Sequence, residues 1–145
     1  MTAHIWLFFK LFNFAYSIPV LNHRITRHGA ERLSAQLITK LQTTLQPEQQ
    51  LSIFKQHVCR YLPLCGVIFK HQAEVFPSVL YQIGAYSHVE KLSIDGVSIG
   101  QLELEFEHPL QLKQKQLLQL SMRALAPALK NALEFQKIPR IKNQI

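Results

Sequence analysis

The sequence predicts an α+β domain in which an antiparallel β-sheet carries N-terminal and C-terminal helices packed on one face. Three observations point to it. Apolar residues recur at helical spacing over 31–46, over 47–62 and again over 110–136. Between the second and third of these stretches, residues 64–107 change to short runs rich in β-formers and broken by turn residues. Asp95-Gly96 sits between two such runs, and this dipeptide suits the two left-handed positions of a tight hairpin turn.

The chain opens with IWLFFKLFNFAYSIPVL at residues 5–21, which holds four of the nine phenylalanines and the only tryptophan. Its length approaches the roughly 20 apolar residues that a membrane span needs. Arg24, Arg27 and Arg32 follow it, as on the cytoplasmic side of a span. Lys10, Asn13 and Ser17 form one polar stripe at i, i+3 and i+7, which better suits a helix lying in an interface or packed on a partner. No positive charge precedes the run, so it makes a poor secretory leader. The expected organisation is an aromatic extension over 1–30, either packed or touching a membrane, then a domain at 31–137 and a tail at 138–145.

In the domain, Leu33, Leu37, Ile38, Leu41 and Leu45 share one helical face. Pro47 ends that helix and starts the next, because the first helical position has no backbone bond to lose. Leu51, Phe54, Val58, Tyr61 and Leu62 give the second helix its face, and Pro63 stops it. Leu64–His71 reads as a first strand, 76–83 as a second with Pro77 at an edge or bulge, and Tyr86–Ile94 as a third. After Asp95-Gly96, residues 97–107 alternate Leu102, Leu104 and Phe106 with Glu103, Glu105 and Glu107, which predicts one buried and one wet, acidic face. The apolar parity switches at Gly100, a position that therefore predicts a bulge or a close backbone approach.

The last helix is apolar on two sides. Leu118, Met122, Leu125, Leu129 and Ala132 form one stripe; Leu117, Leu120, Ala124 and Ala128 form a second. A helix that is apolar nearly all round must be covered on both sides. One sheet covers one stripe, so the other needs the N-terminal helix or a second chain. The expectation is a homodimer with Leu118, Met122, Leu125, Leu129 and Ala132 at its interface. Pro127 removes the backbone bond to the Arg123 carbonyl and bends the helix there.

The net charge of +7 is unevenly spread: +4 over residues 1–40, −3 over 41–110 and +6 over 111–145. The body of the domain is acidic and the basic excess sits on its flanks, with no interleaved basic and aromatic strand face and no recognition-helix or zinc-finger pattern. Nucleic acid is not an expected partner. Two cysteines, Cys59 and Cys65, make no disulfide framework, and a reducing, cytoplasmic compartment is expected.

No arrangement of residues declares a catalyst. Cys59 and Cys65 flank the Leu62-Pro63-Leu64 corner and would form a redox pair only if one thiol were exposed and acidified. His57, Cys59 and His71 match no zinc spacing. His88 and Glu103 are expected as cross-strand neighbours on the surface. Glu103, Glu105 and Glu107 lack an apolar pocket that would raise a carboxyl pKa. There is no Gly-rich phosphate loop.

Three stretches together resemble a GAF domain, particularly the short GAF-like sensor found ahead of GGDEF diguanylate cyclase domains in bacteria. They are residues 37–69 (LITKLQTTLQPEQQLSIFKQHVCRYLPLCGVIF), 92–110 (LSIDGVSIGQLELEFEHPL) and 117–135 (LLQLSMRALAPALKNALEF). Asp95-Gly96 followed by Gly100-x-Leu102-x-Leu104 looks like that family's central hairpin, and Ala126-Pro127-Ala128-Leu129 with Asn131-Ala132-Leu133 looks like its exit helix. The resemblance implies a non-catalytic regulatory and dimerising module of cyclic-di-GMP signalling, working with a downstream or separate GGDEF domain. The sequence itself carries no Gly-Gly-Asp/Glu-Glu-Phe signature. The Asn-Lys-Phe-Asp-Glu set of cyclic-nucleotide GAF domains is absent, and the strand connections are too short to roof a pocket, so no cofactor is expected. The competing readings are a small thiol-redox enzyme using Cys59 and Cys65, and a membrane-surface adaptor using residues 5–21.

Overall fold

Thr26 sets where the described chain becomes regular: its side-chain oxygen accepts the Gly29 amide at 2.9 Å and caps the first helix. The computed structural model describes residues 25–137. Residues 1–24 and 138–145, and with them the expectations placed on 5–21 and on the tail, lie outside the described residues. The order is α1 (Arg27–Leu41), α2 (Pro47–Val58), β1 (Leu64–His71), β2 (Glu74–Pro77), β3 (Tyr86–Ile94), β4 (Val97–Phe106) and α3 (Leu112–Lys137). The fold is α+β, with a four-stranded antiparallel sheet in the order β2-β1-β4-β3.

The cap starts α1 at Arg27, ahead of the expected Glu31, and its apolar face divides. Leu33, Leu37 and Leu41 are buried, whereas Ile38 is 48% exposed and Leu45, just beyond the helix, 41%. In α2, Pro47 occupies the first turn, and Leu51, Phe54 and Val58 are fully buried. This helix closes at Val58, short of the expected Leu62. The Tyr61 and Leu62 amides both fold back onto the Val58 carbonyl, and the turn delivers Pro63 to the start of the sheet.

Val67 and Phe69 of β1 and Leu102, Leu104 and Phe106 of β4 face the same side, and they join Leu51, Phe54, Leu125 and Leu129 in one core. The backbone of α1 comes closest to α2 and α3, while α2 lies against β1 and α3 against β3. At Asp95 and Gly96 φ is 52° and 78°, the left-handed pair of a two-residue turn. Leu92 pairs with Gly100 but Ser93 with Ser98, so Ile99 is the extra residue of a bulge. That one-residue step puts Ile99 on the buried side together with Leu102. Gly100 takes φ 150°, and a Cβ there would stand 2.5 Å from the Lys70 carbonyl oxygen and 2.6 Å from the Phe69 ring. The bulge and the close approach are both present.

The second strand departs from expectation. It runs only from Glu74 to Pro77, and residues 78–85 form a connection rather than continuing to Ile83. Ser78 still donates to the Val67 carbonyl and Gln82 to that of Cys65, but Leu80 adopts φ 55° and turns the chain. Val79, Leu80 and Ile83 are consequently exposed despite their apolar character. The connection then passes Gly84 against the Phe106 carbonyl and enters β3 on the opposite edge of the sheet. On its way the Tyr81 ring covers Gly66, which pairs with Glu105. This corrects the expectation of a wet acidic row: Glu105 is only 7% exposed, and Glu103 pairs with Lys70 at 2.8 Å.

Candidate functional site

The five α3 residues assigned to a dimer interface face inward. Leu118, Met122, Leu125, Leu129 and Ala132 are between 0% and 4% exposed within a single chain. They fill the space between α3, the sheet and α2, so their role as partner contacts is corrected: they are core. The sequence pattern shows two apolar stripes on α3 but carries no information about which one turns to the sheet.

The second stripe, apart from buried Leu117, is the one with free surface. Leu120, Ala124 and Ala128 are half-buried, and with Pro127 they form one wall of a groove of about 310 Å³ whose other wall is Ser34, Ile38 and Gln42 of the α1 side. The groove continues toward the start of α3 as a shallow depression of about 340 Å³ between Ile25, Ala30, Leu117 and Leu120. Among the described residues Arg123 is the only charged side chain lining the first of these. Ala124 and Ala128 lie one turn apart, and their small side chains let another backbone come close. Ile38, placed by periodicity among the core residues, belongs to this outer face; its adjacency to Leu37 widens the apolar stripe of α1 past what the core covers, without saying which edge of the stripe stays outside.

Gln50 ties the inner side of this helix pair together. It is buried, and its Nε2 donates to the Thr44 carbonyl and to the Ala128 carbonyl, both at 3.0 Å. Its Oε1 has no hydrogen-bond partner among the described residues. The bond to Ala128 anchors α3 one residue after Pro127, inside the stretch where the helix has lost its own bond to Arg123.

Neither cysteine is disposed to act as a nucleophile. Burial pushes both thiols above their ordinary range; for Cys59 the nearby Lys55 and Arg60 oppose this incompletely, and for Cys65 the carboxylates of Glu107 and Glu105 add to it. Each sulfur donates to a backbone carbonyl, Cys59 to Gln56 at 3.2 Å and Cys65 to Glu105 at 3.3 Å. A thiol that is both desolvated and hydrogen-bonded as a donor is held protonated. Burial also raises the Tyr81 phenol, with Glu105 and Glu103 contributing.

The histidines disperse. His57 bonds the Ile53 carbonyl in its own helix, and His71 bonds the Ile99 carbonyl at 2.7 Å beside the bulge. His88 faces Leu104 across the hairpin, not Glu103, whose partner is Val89; the bulge between the turn and Gly100 shifts the register by one residue. The ring of His88 instead meets Glu90 at 2.8 Å along its own strand. Among the described residues no three His, Cys, Asp or Glu side chains cluster as a metal site, and no helix is long and apolar enough to cross a membrane. Asp95, Gly96 and Gly100 shape the hairpin and touch no cavity described above. Compared with known proteins, the chain matches no family model, no curated protein and no solved structure.

Proposed function

We propose that the chain is a non-catalytic, GAF-like regulatory and dimerisation module of bacterial signal transduction, acting with a GGDEF diguanylate cyclase domain on the same or a separate chain. The single observation that carries the dimerisation is the nearly uncharged groove between α1 and α3, with Ile38 half-exposed at its rim. Depletion of charge at the centre and a polar edge, here Ser34, Gln42 and Asn131, are what distinguish interface cores from ordinary surface. A second copy of the same two helices offers the same apolar strip, as two-fold association requires. The regulatory part rests on the resemblance carried by Asp95-Gly96, by Gly100-x-Leu102-x-Leu104 and by residues 126–133, and the order of elements is in line with it.

The long helix gives such a module its output. Its inner stripe is locked into the core and its outer stripe lines the groove, so a change in either packing moves the same rod. Size-exclusion chromatography with light scattering at tens of micromolar tests the reading. A dimer is expected for the natural chain and a folded monomer for Ile38→Glu; a strictly monomeric natural chain refutes it. Fusing a GGDEF domain after the helix and measuring cyclic-di-GMP synthesis tests the second half, with lower output expected from the Ile38→Glu fusion.

A further inference from the structure

On the far side of α3 from that groove, a second hollow of about 290 Å³ opens between β3, the segment joining β4 to α3, and the first turns of α3. Its floor is apolar, made by Phe106, Leu110 and Leu118. His88 and Glu90 border it from β3, their side alternating with Val89 and Lys91 so that they lie on the same face as buried Leu92. Glu90 is not an open anionic site: its Oε1 accepts from His88 Nε2 at 2.8 Å and from Gln119 Nε2 at 3.2 Å. This bridge ties the β3 wall to the α3 wall.

The opposite balance holds at the mouth. Lys115 and His108 both line it, and neither side chain has a hydrogen bond or ion pair among the described residues. A cation left without a partner among the described residues beside an apolar floor, with the carboxylate that lines the hollow already engaged by two donors, is complementary to an anion that carries an apolar body. A single lysine without a glycine-rich loop does not suit a di- or triphosphate, and the volume lies at the small end of ligand sites. We infer that this hollow binds a small organic monocarboxylate, its carboxylate against Lys115 and His108 and its aromatic or branched aliphatic part on Phe106, Leu110 and Leu118. The inference goes beyond the dimerisation reading and does not depend on it, because every residue named comes from one chain.

Phenylacetate is a suitable probe, followed by amide chemical shifts and calorimetry on the full chain, with benzylamine as the cationic counterpart. Saturable one-to-one binding is expected, with shifts concentrated at His88, Phe106, Leu118 and Gln119 and no comparable effect of benzylamine. Lys115 is exposed, so Lys115→Glu leaves the fold intact; it should weaken phenylacetate at least about tenfold and raise the affinity for benzylamine. Absence of saturable phenylacetate binding up to about 10 mM, equal binding of the two probes, shifts mapping to another surface, or an unaltered affinity in Lys115→Glu would each overturn the assignment.

Discussion

Leu125 and Ile38 lie on the two sides of the helical layer, and their substitution separates core from interface. Leu125 is fully buried. Truncation to alanine removes about three methylene equivalents at ~0.8 kcal/mol each, and a residual cavity adds to this, so Leu125→Ala should cost about 3–4 kcal/mol. Ile38 is 48% exposed, and in a lone chain Ile38→Glu should cost no more than about 0.5–1 kcal/mol. In a dimer its cost appears elsewhere: association adds stability that grows by about 1.4 kcal/mol for each tenfold rise in chain concentration. Urea denaturation at two concentrations about tenfold apart reads both quantities. The natural chain should unfold at higher urea when concentrated. Leu125→Ala should be destabilised at both concentrations and keep that dependence; Ile38→Glu should lose the dependence and little else. If Leu125→Ala costs under about 1 kcal/mol while abolishing the concentration dependence, the inner stripe faces a partner and the assignment of the two stripes is reversed.

Other residues give independent checks. Gly100→Ala must fit a Cβ against the Lys70 carbonyl and the Phe69 ring at an unfavourable φ, so a loss of about 2–4 kcal/mol is expected in denaturant titration, whereas Gly96→Ala has open space and should lose only about 1 kcal/mol through its φ of 78°. Gln50→Ala frees two carbonyls on different elements and should lose about 2–4 kcal/mol, with faster amide exchange around Pro127. The raised thiols of Cys59 and Cys65 bind protons more tightly folded than unfolded; the stability they contribute is full below the ordinary thiol value of 9.0 and falls as pH rises from there through the raised values, and labelling by a disulfide reagent at pH 7 should be slow for both. Glu105→Gln removes a charge beside Tyr81, and the phenol should then titrate at lower pH in ultraviolet difference spectra.

Much of the layout was legible because it depends on local rules. Asp95-Gly96 specifies its turn by the left-handed φ that only a few residues accept, and Gly100 marks the bulge by a break in alternation, which is visible in one dimension. Leu64–His71 and Tyr86–Ile94 matched their strands because β-rich runs between turn residues have few other uses. The apolar run at 76–83 misled for a related reason: Val79, Leu80 and Ile83 have the composition of a strand, but the left-handed turn at Leu80 takes the segment out of regular pairing after Pro77. Glu105 alternated like a surface residue, and only the Tyr81 connection, crossing from the distant edge, removes it from water. His88 paired one residue away from expectation because a bulge between two strands displaces every partner beyond it.

By itself, then, the sequence determined the elements, their order and the fact that the closing helix has two greasy sides, since periodicity and turn chemistry act over a few neighbouring residues. Tertiary structure alone decided which side of that helix meets the sheet, that Leu125 is core while Ile38 is surface, and that Lys115 and His108 line the same hollow as Phe106 without a side-chain partner among the described residues. Those outcomes depend on the rotation of whole elements about their axes and on contacts between residues far apart in the chain, and no local pattern encodes either.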